Sequence, residues 1–225
     1  MPAITLEDDI TITTFRPPSG FDPLIATASE LEQHGFPARP DNPLFLKLYQ
    51  RIFGRLGGRF KYVEPTFRIS RDKPHDPPNR TSPSGIFTGD NWSGAVVQPP
   101  PGQSFRQVLG HWVVPNAHAP TPNPFLNSYW IGLDGFVPGA NEVLQAGVDC
   151  FLFGGLSSFY LWHQWAPSAK VSVTNPTVSA GDLVVVSISA APGAGATNAT
   201  VYFANSRNKA QKVIFVLPAK RITQS

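Results

Sequence analysis

The sequence predicts an all-β domain, a sandwich or barrel, preceded by a short helical segment. Composition points there first: 24 Pro and 19 Gly stand among 225 residues, with only 15% charged side chains. From Asn91 onward, Val, Ile, Phe and Trp fall in short runs bounded by Gly, Pro and Asn, and no helical period interrupts them. Upstream, apolar residues recur at helical spacing instead. With 41% apolar residues the chain can build a core, and its length suits one domain of about 130 to 150 residues with a smaller appendage.

Residues 1–26, which include "RPPSGFDP", show no sustained period and read as an irregular arm. Thr27 and Glu30 have capping-box spacing, so "TASELEQHG" is a short helix ended by Gly35. After "ARPDNP", Asp41 or Asn42 can cap, Pro43 fits a first turn, and Leu44, Leu48, Ile52 and Leu56 recur at fourfold spacing, which predicts a helix over 43–56. The stretch "SRDKPHDPPNRTSPSG" at 70–85 cannot bury enough surface to fold alone and reads as a linker, either a cleavable joint or a passive spacer. Strands are then predicted near 91–98, 105–114, 127–134, 143–153, 158–166, 169–174, 183–190, 199–205 and 211–217. The division is an arm and helical leader over 1–69, a Pro-rich linker over 70–87 and a β-domain over 88–225, with no internal repeat.

The net charge of +3 comes without a stripe of Lys and Arg interleaved with aromatics, which argues against a nucleic-acid partner. "MPAITLEDDITITTF" lacks a basic start and a continuous apolar core, so nothing in it marks export. No stretch approaches the roughly 18 apolar residues of a membrane span, so no membrane partner is expected. Cys150 is the only cysteine, which excludes an intramolecular disulfide, and its strand context fits a small buried hydrophobe rather than a nucleophile. His111 and His163 lack a second ligand at metal spacing, so no metal, nucleotide or other cofactor is implied. Sequons at Asn79, Asn91 and Asn198 matter only on a secretory route.

The polar content of the strands is where chemistry enters. Period two puts Trp130, Gly132 and Asp134 on one face of their strand, and Gln145, Gly147 and Asp149 on one face of another. If those faces adjoin, indoles, carboxylates and an amide share a concave surface. The plainer reading has core tryptophans and aspartates that end strands.

Taken in order, "NWSGAVV", "VLGHWVVP", "SYWIGLDG", "VLQAGVD" and "LWHQWAP" resemble the successive strands of the glutamic peptidases, or eqolisins, over about residues 88–220. The upstream "ELEQHGFPARPDNPLFLKLYQRIF" resembles the leader of bacterial and fungal members, a propeptide removed as secreted members mature. The resemblance implies a concanavalin A-like antiparallel β-sandwich of jelly-roll type, a polypeptide substrate, a secreted setting, and an acid-acting endopeptidase with a Gln/Glu dyad. It puts the dyad glutamine on Gln145 and the active-site tryptophan and aspartate on Trp130 and Asp134. It puts supporting positions on Asp149, Trp162 and Gln164, and a groove-lining tryptophan on Trp92. In such a dyad the carboxylate takes a proton from the attacking water and returns it to the leaving amine. The amide donates to the developing oxyanion without acquiring charge.

Two departures accompany the resemblance. The family's dyad glutamate lies in a segment like "AEWIVE" after the stretch matching "VIFVLPAK", and this sequence ends at "RITQS". Among residues 81–225 the only glutamate is Glu142, which lies three before Gln145 and so on the opposite strand face. Gln164 of "WHQW" stands where the family usually has a glutamate. The expectation is a family member holding only the glutamine half of the dyad, either a truncated copy or a relative that keeps the fold without the chemistry. The alternative is a sandwich module that binds peptide or carbohydrate in a Trp-lined groove without cleaving it. A missing terminal strand also predicts edge-strand self-association.

Overall fold

Alternation sorts the side chains of each strand to two faces, and two antiparallel sheets close over the apolar ones. The computed structural model describes residues 3–6, 10–56, 61–70, 80–81, 87–88, 93–118, 123–136, 142–190, 196–205 and 211–222. In chain order these form β1 (Ala3–Thr5), β2 (Thr11–Thr14), α1 (Ala28–Gln33), α2 (Pro43–Leu56), β3 (Lys61–Tyr62), β4 (Thr66–Ile69), β5 (Arg80–Thr81) and β6 (Phe87–Thr88). The strands β7 (Gln107–Val113), β8 (Phe125–Asp134), β9 (Val143–Phe153) and β10 (Leu156–Ala166) follow. β11 (Val171–Asn175), β12 (Leu183–Ala190), β13 (Ala196–Asn205) and β14 (Gln211–Ile222) complete the order.

One sheet runs β1-β2-β14-β13-β12-β7, with β3 added parallel to β14; the other runs β4-β11-β10-β9-β8. Between them lies one core. It takes Val184, Val186, Ile188, Val201 and Phe203 from the first sheet, and Leu144, Ala146, Val148, Leu161, Val171 and Val173 from the second. The expected all-β sandwich is therefore the observed architecture.

The helices form a third layer. Thr27 Oγ1 accepts from the Glu30 amide at 3.2 Å while Glu30 Oε2 accepts from the Thr27 amide at 2.7 Å, the reciprocal cap expected for α1. Asn42 Oδ1 caps α2 through the Leu44 amide at 2.9 Å. Leu31, Tyr49, Ile52 and Phe53 then pack with Phe36 on Val185, Tyr202 and Ala204, on the outer face of the first sheet. Leu44, first of the fourfold apolar set, is exposed instead.

Three expectations are corrected. The arm over 1–26 contains β1 and β2, and β2 pairs with β14, so it is not irregular throughout. Residues 66–69, placed by sequence in the leader, form β4 at the edge of the second sheet. The strand near 91–98 is absent over its described part, 93–98, which runs exposed as a loop. Most of the linker, with Asn79 and Asn91, lies outside the described residues. No helix among the described residues is long and apolar enough to cross a membrane.

His163 belongs to this core. Its Cα partners are Ala146 and Val171, and its ring meets the edge of Phe67 at 6.4 Å between centroids. Complete burial pushes its pKa from 6.5 down to about 3. A depressed histidine pKa means that the fold carries the neutral ring, so its stabilising contribution is full above pH 6.5 and is lost as pH falls toward 3. Chemical denaturation at pH 6.5 and pH 4 measures this. A His163→Leu variant is expected to lose about 3 kcal/mol less than wild type over that interval.

Candidate functional site

The second sheet has an unusual outer face. Val143 to Cys150 of β9 are buried on both sides, so the polar side chains that alternate with core residues must find partners inside the protein. Three rungs cross β8, β9 and β10. Gly132, Gln145 and Gln164 make the first, Trp130, Gly147 and Trp162 the second, and Ser128, Asp149 and Tyr160 the third. All three share the face opposite the core. The missing side chain of Gly147 is a packing requirement, because a Cβ there would stand 2.7 Å from the Cβ of Trp130. The Trp130 ring leans over Gly132, whose Cβ would fall 3.1 Å from Cζ3 of the indole and 3.5 Å from Cβ of Gln145.

Two hydrogen-bonded networks tie this face together. Lys170, which immediately precedes β11, donates from Nζ to Asp149 Oδ2 at 2.5 Å, and both are buried. Ser128 Oγ donates to Asp149 Oδ1 at 2.7 Å and accepts from Trp162 Nε1 at 3.0 Å. The Lys170 ammonium also stands 5.4 Å from the centre of the Trp162 ring, so one lysine neutralises the carboxylate and faces the indole. In the second network Gln145 Nε2 donates to Gln164 Oε1 at 3.0 Å, and Gln164 Nε2 donates to the Ser168 carbonyl at 2.9 Å.

A cleft of about 970 Å³ opens beside β8. Trp130, Asp134 and Gln145 line it from the second sheet; Val97, Phe105 and Trp112 line the facing side. Asp134 ends β8 with φ of 65°, in the left-handed region that an aspartate tolerates. It both ends its strand and lines the cleft.

The structure thus brings together Trp130, Asp134, Gln145, Asp149, Trp162 and Gln164 on one face, with the first three at the cleft and the others packed behind. Trp92 lies outside the described residues, although Ser93 next to it lines the cleft. Glu142 precedes β9, off the rung pattern, and its Oε2 is buried without a hydrogen-bond partner. Cys150 faces the core, where burial raises its thiol pKa, in keeping with an inert side chain. Among the described residues no three His, Cys, Asp or Glu side chains gather as metal ligands.

Sequence reasoning missed Lys170 and Ser128. The signal was period two: Lys170 and Ser172 alternate with the core residues Val171 and Val173, and Ser128 alternates with Tyr129 two positions before Trp130.

Comparison with known proteins follows this geometry. Residues 90–222 match the profile of the Peptidase A4 family. Aspergillopepsin-2 of Aspergillus niger is 27% identical over an alignment of 118 residues that covers 44% of this chain and 40% of that protein. Scytalidopepsin B of Scytalidium lignicola is 28% identical over 100 residues, 44% of this chain and 35% of that protein. The chain therefore spans less than half the length of either relative. The solved structure of a scytalido-glutamic peptidase with a transition-state analogue inhibitor is similar with a TM-score of 0.43 at 24% identity, over 55% of each chain.

Removing Lys170 leaves Asp149 as an uncompensated buried charge. Lys170→Met is expected to destabilise by about 3 to 5 kcal/mol, and adding Asp149→Asn to recover most of it. Urea unfolding of both variants measures the difference.

Proposed function

Because the chain belongs to the Peptidase A4 family, we propose that its cleft is a peptide-bond-hydrolysing site of the glutamic type, acting on polypeptides at acid pH, with Gln145 as the amide half of the dyad. The observation that carries this reading is the position of Gln145. It is a buried glutamine on a strand face, opening onto a cleft shared with Trp130 and Asp134. A buried primary amide is costly unless it is partnered, and one of its N–H bonds is committed to Gln164. The amide holds neutral donor and acceptor capacity at any pH, which suits it to stabilise an oxyanion in an acidic medium.

In this reading Trp130 forms the apolar wall against which an extended substrate lies, and Asp134 stands diagonal to Gln145 across β8 and β9. Asp149 and Trp162 hold the floor: with Lys170 on one oxygen and Ser128 on the other, the Asp149 carboxylate is engaged as a support rather than offered to substrate. No glutamate on this face serves as the general base of the family reading, because the only glutamate of residues 81–225, Glu142, lies off it; the carboxylate that lines the cleft with Gln145 is that of Asp134. The reading therefore assigns the amide role to Gln145 alone. Working outside the cell fits an acid-acting peptidase and is part of the same proposal.

The segment 1–69 is read as propeptide-like. α1 and α2 lie on the first sheet, with both sheets between them and the Gln145 face, so the helices act as a folding brace and not as a plug. Limited proteolysis within 70–87 is expected to leave two pieces that co-elute on size exclusion, held by β2 on β14 and β4 on β11. Separation of the pieces without denaturant would contradict the brace.

Digestion of a denatured protein at about pH 3, with circular dichroism showing the peptidase itself to be folded there, followed by mass spectrometry, tests the catalytic reading against a Gln145→Ala variant. Cleavage by wild type that Gln145→Ala loses is the expected result. Equal products from both, or none from wild type, overturns it and leaves a cleft that binds without cutting.

A further inference from the structure

Beyond membership and the dyad, we propose that Gln164 is a positioning residue that fixes which end of the Gln145 amide meets the cleft, and that it keeps this orientation from acid to neutral pH. The inference deepens the reading of Gln145 given above. It starts from an acceptor that cannot change roles. The Ser168 carbonyl can only accept, and its position is set by a turn in which the Ser168 N–H donates to the Trp165 carbonyl at 2.9 Å. It therefore selects the nitrogen of Gln164, at 2.9 Å. That choice turns Gln164 Oε1 toward β9, where it accepts only a donor, and so selects the nitrogen of Gln145, at 3.0 Å. Two planar amides thus transmit one backbone carbonyl's polarity across two strands. With its nitrogen held toward Gln164, the Gln145 amide has one orientation relative to the cleft that it lines.

A carboxyl group at position 164 behaves differently. Protonated, it donates to the Ser168 carbonyl and accepts from Gln145, reproducing the relay. Ionised, it sets an oxygen anion against the Ser168 carbonyl, and the relay loses its directing bond. Burial and that carbonyl both favour the protonated form. Gln164 is in effect a permanently protonated acid, so the orientation of Gln145 has no titration.

The ionisable groups around the pair do not replace this role. Asp149 on β9 is bonded to Lys170 and Ser128. Lys170, just before β11, directs its ammonium to Asp149. Asp134 ends β8 beside the cleft, Arg68 of β4 lies over the Tyr160 ring, His163 points into the core, and Glu142 lies before β9 off the rung pattern.

The test follows the Gln145 side-chain amide by ¹⁵N–¹H NMR, identified by its loss in Gln145→Ala, from about pH 4 to pH 9. Wild type is expected to keep one pair of amide shifts. Gln164→Glu is expected to match wild type at the acid end and to show one added transition as its carboxyl ionises. Gln164→Met, which cannot ionise, is expected to displace the shifts at every pH. The proposal is overturned if Gln164→Glu tracks wild type throughout, or if Gln164→Met leaves the amide unmoved. Because the readout is not cleavage, it separates the two claims. An inactive wild type with the expected amide behaviour sinks the catalytic reading alone, and an active one with a titrating relay sinks this inference alone.

Discussion

The constraint on which the rest depends is that the second sheet is buried on both faces along its β9 strand, while only one of those faces is apolar. Antiparallel sheets ordinarily spend their polar face on water. Here β9 is closed off on each side from Val143 to Cys150, and the side turned away from the core carries Gln145 and Asp149. Every polar atom on that face needs a partner inside the protein, because an unmade bond costs more than a made one gains. The result is a set of fixed bonds with little room for alternative rotamers, which is the rigidity a preorganised site requires.

The two networks on this face differ in kind. The Asp149 network holds two full charges, and such a pair adds little net stability but makes the loss of either partner severe. The Gln145 network is neutral throughout. Its bonds are weaker singly, yet none of them carries a charge that pH or salt can change. Between them stand Trp130 and Trp162, brought to one rung by Gly147, so apolar surface separates the charged end of the face from the neutral one.

How far this was legible in sequence depends on the range of the interactions. α2 was readable to its ends because Asn42, Pro43 and the apolar spacing are all local. β9 and β12 were readable because their runs are long and bounded by turns. β2 and β4 were not, since each is four residues long: β4 becomes a strand by pairing with β11, far along the chain, and β2 by pairing with the three-residue β1 and the distant β14. The loop at 93–98 failed in the opposite direction: "SGAVVQ" has strand composition but forms a wall of the cleft. The face shared by Gln145, Trp130, Asp149, Trp162 and Gln164 followed from period two and the family resemblance. Lys170 did not, because a lone lysine reads as surface, and its burial is decided by an aspartate 21 positions away.

The two faces of β10 bear on pH in opposite senses. His163 and Gln164 are adjacent, so alternation sends one to the core and the other to the site. His163 is held neutral and resists protonation down to about pH 3, so acid erodes the fold through this residue before it reaches the amides. Gln164 has no proton to gain. His163 therefore places an acid-sensitive group in the core behind the site, while the amide pair within the site has none. A glutamate at position 164 would add a boundary, on the neutral side, where its ionisation turns a hydrogen-bond donor into an acceptor facing another acceptor. With glutamine there, the amide pair has no proton to gain or lose.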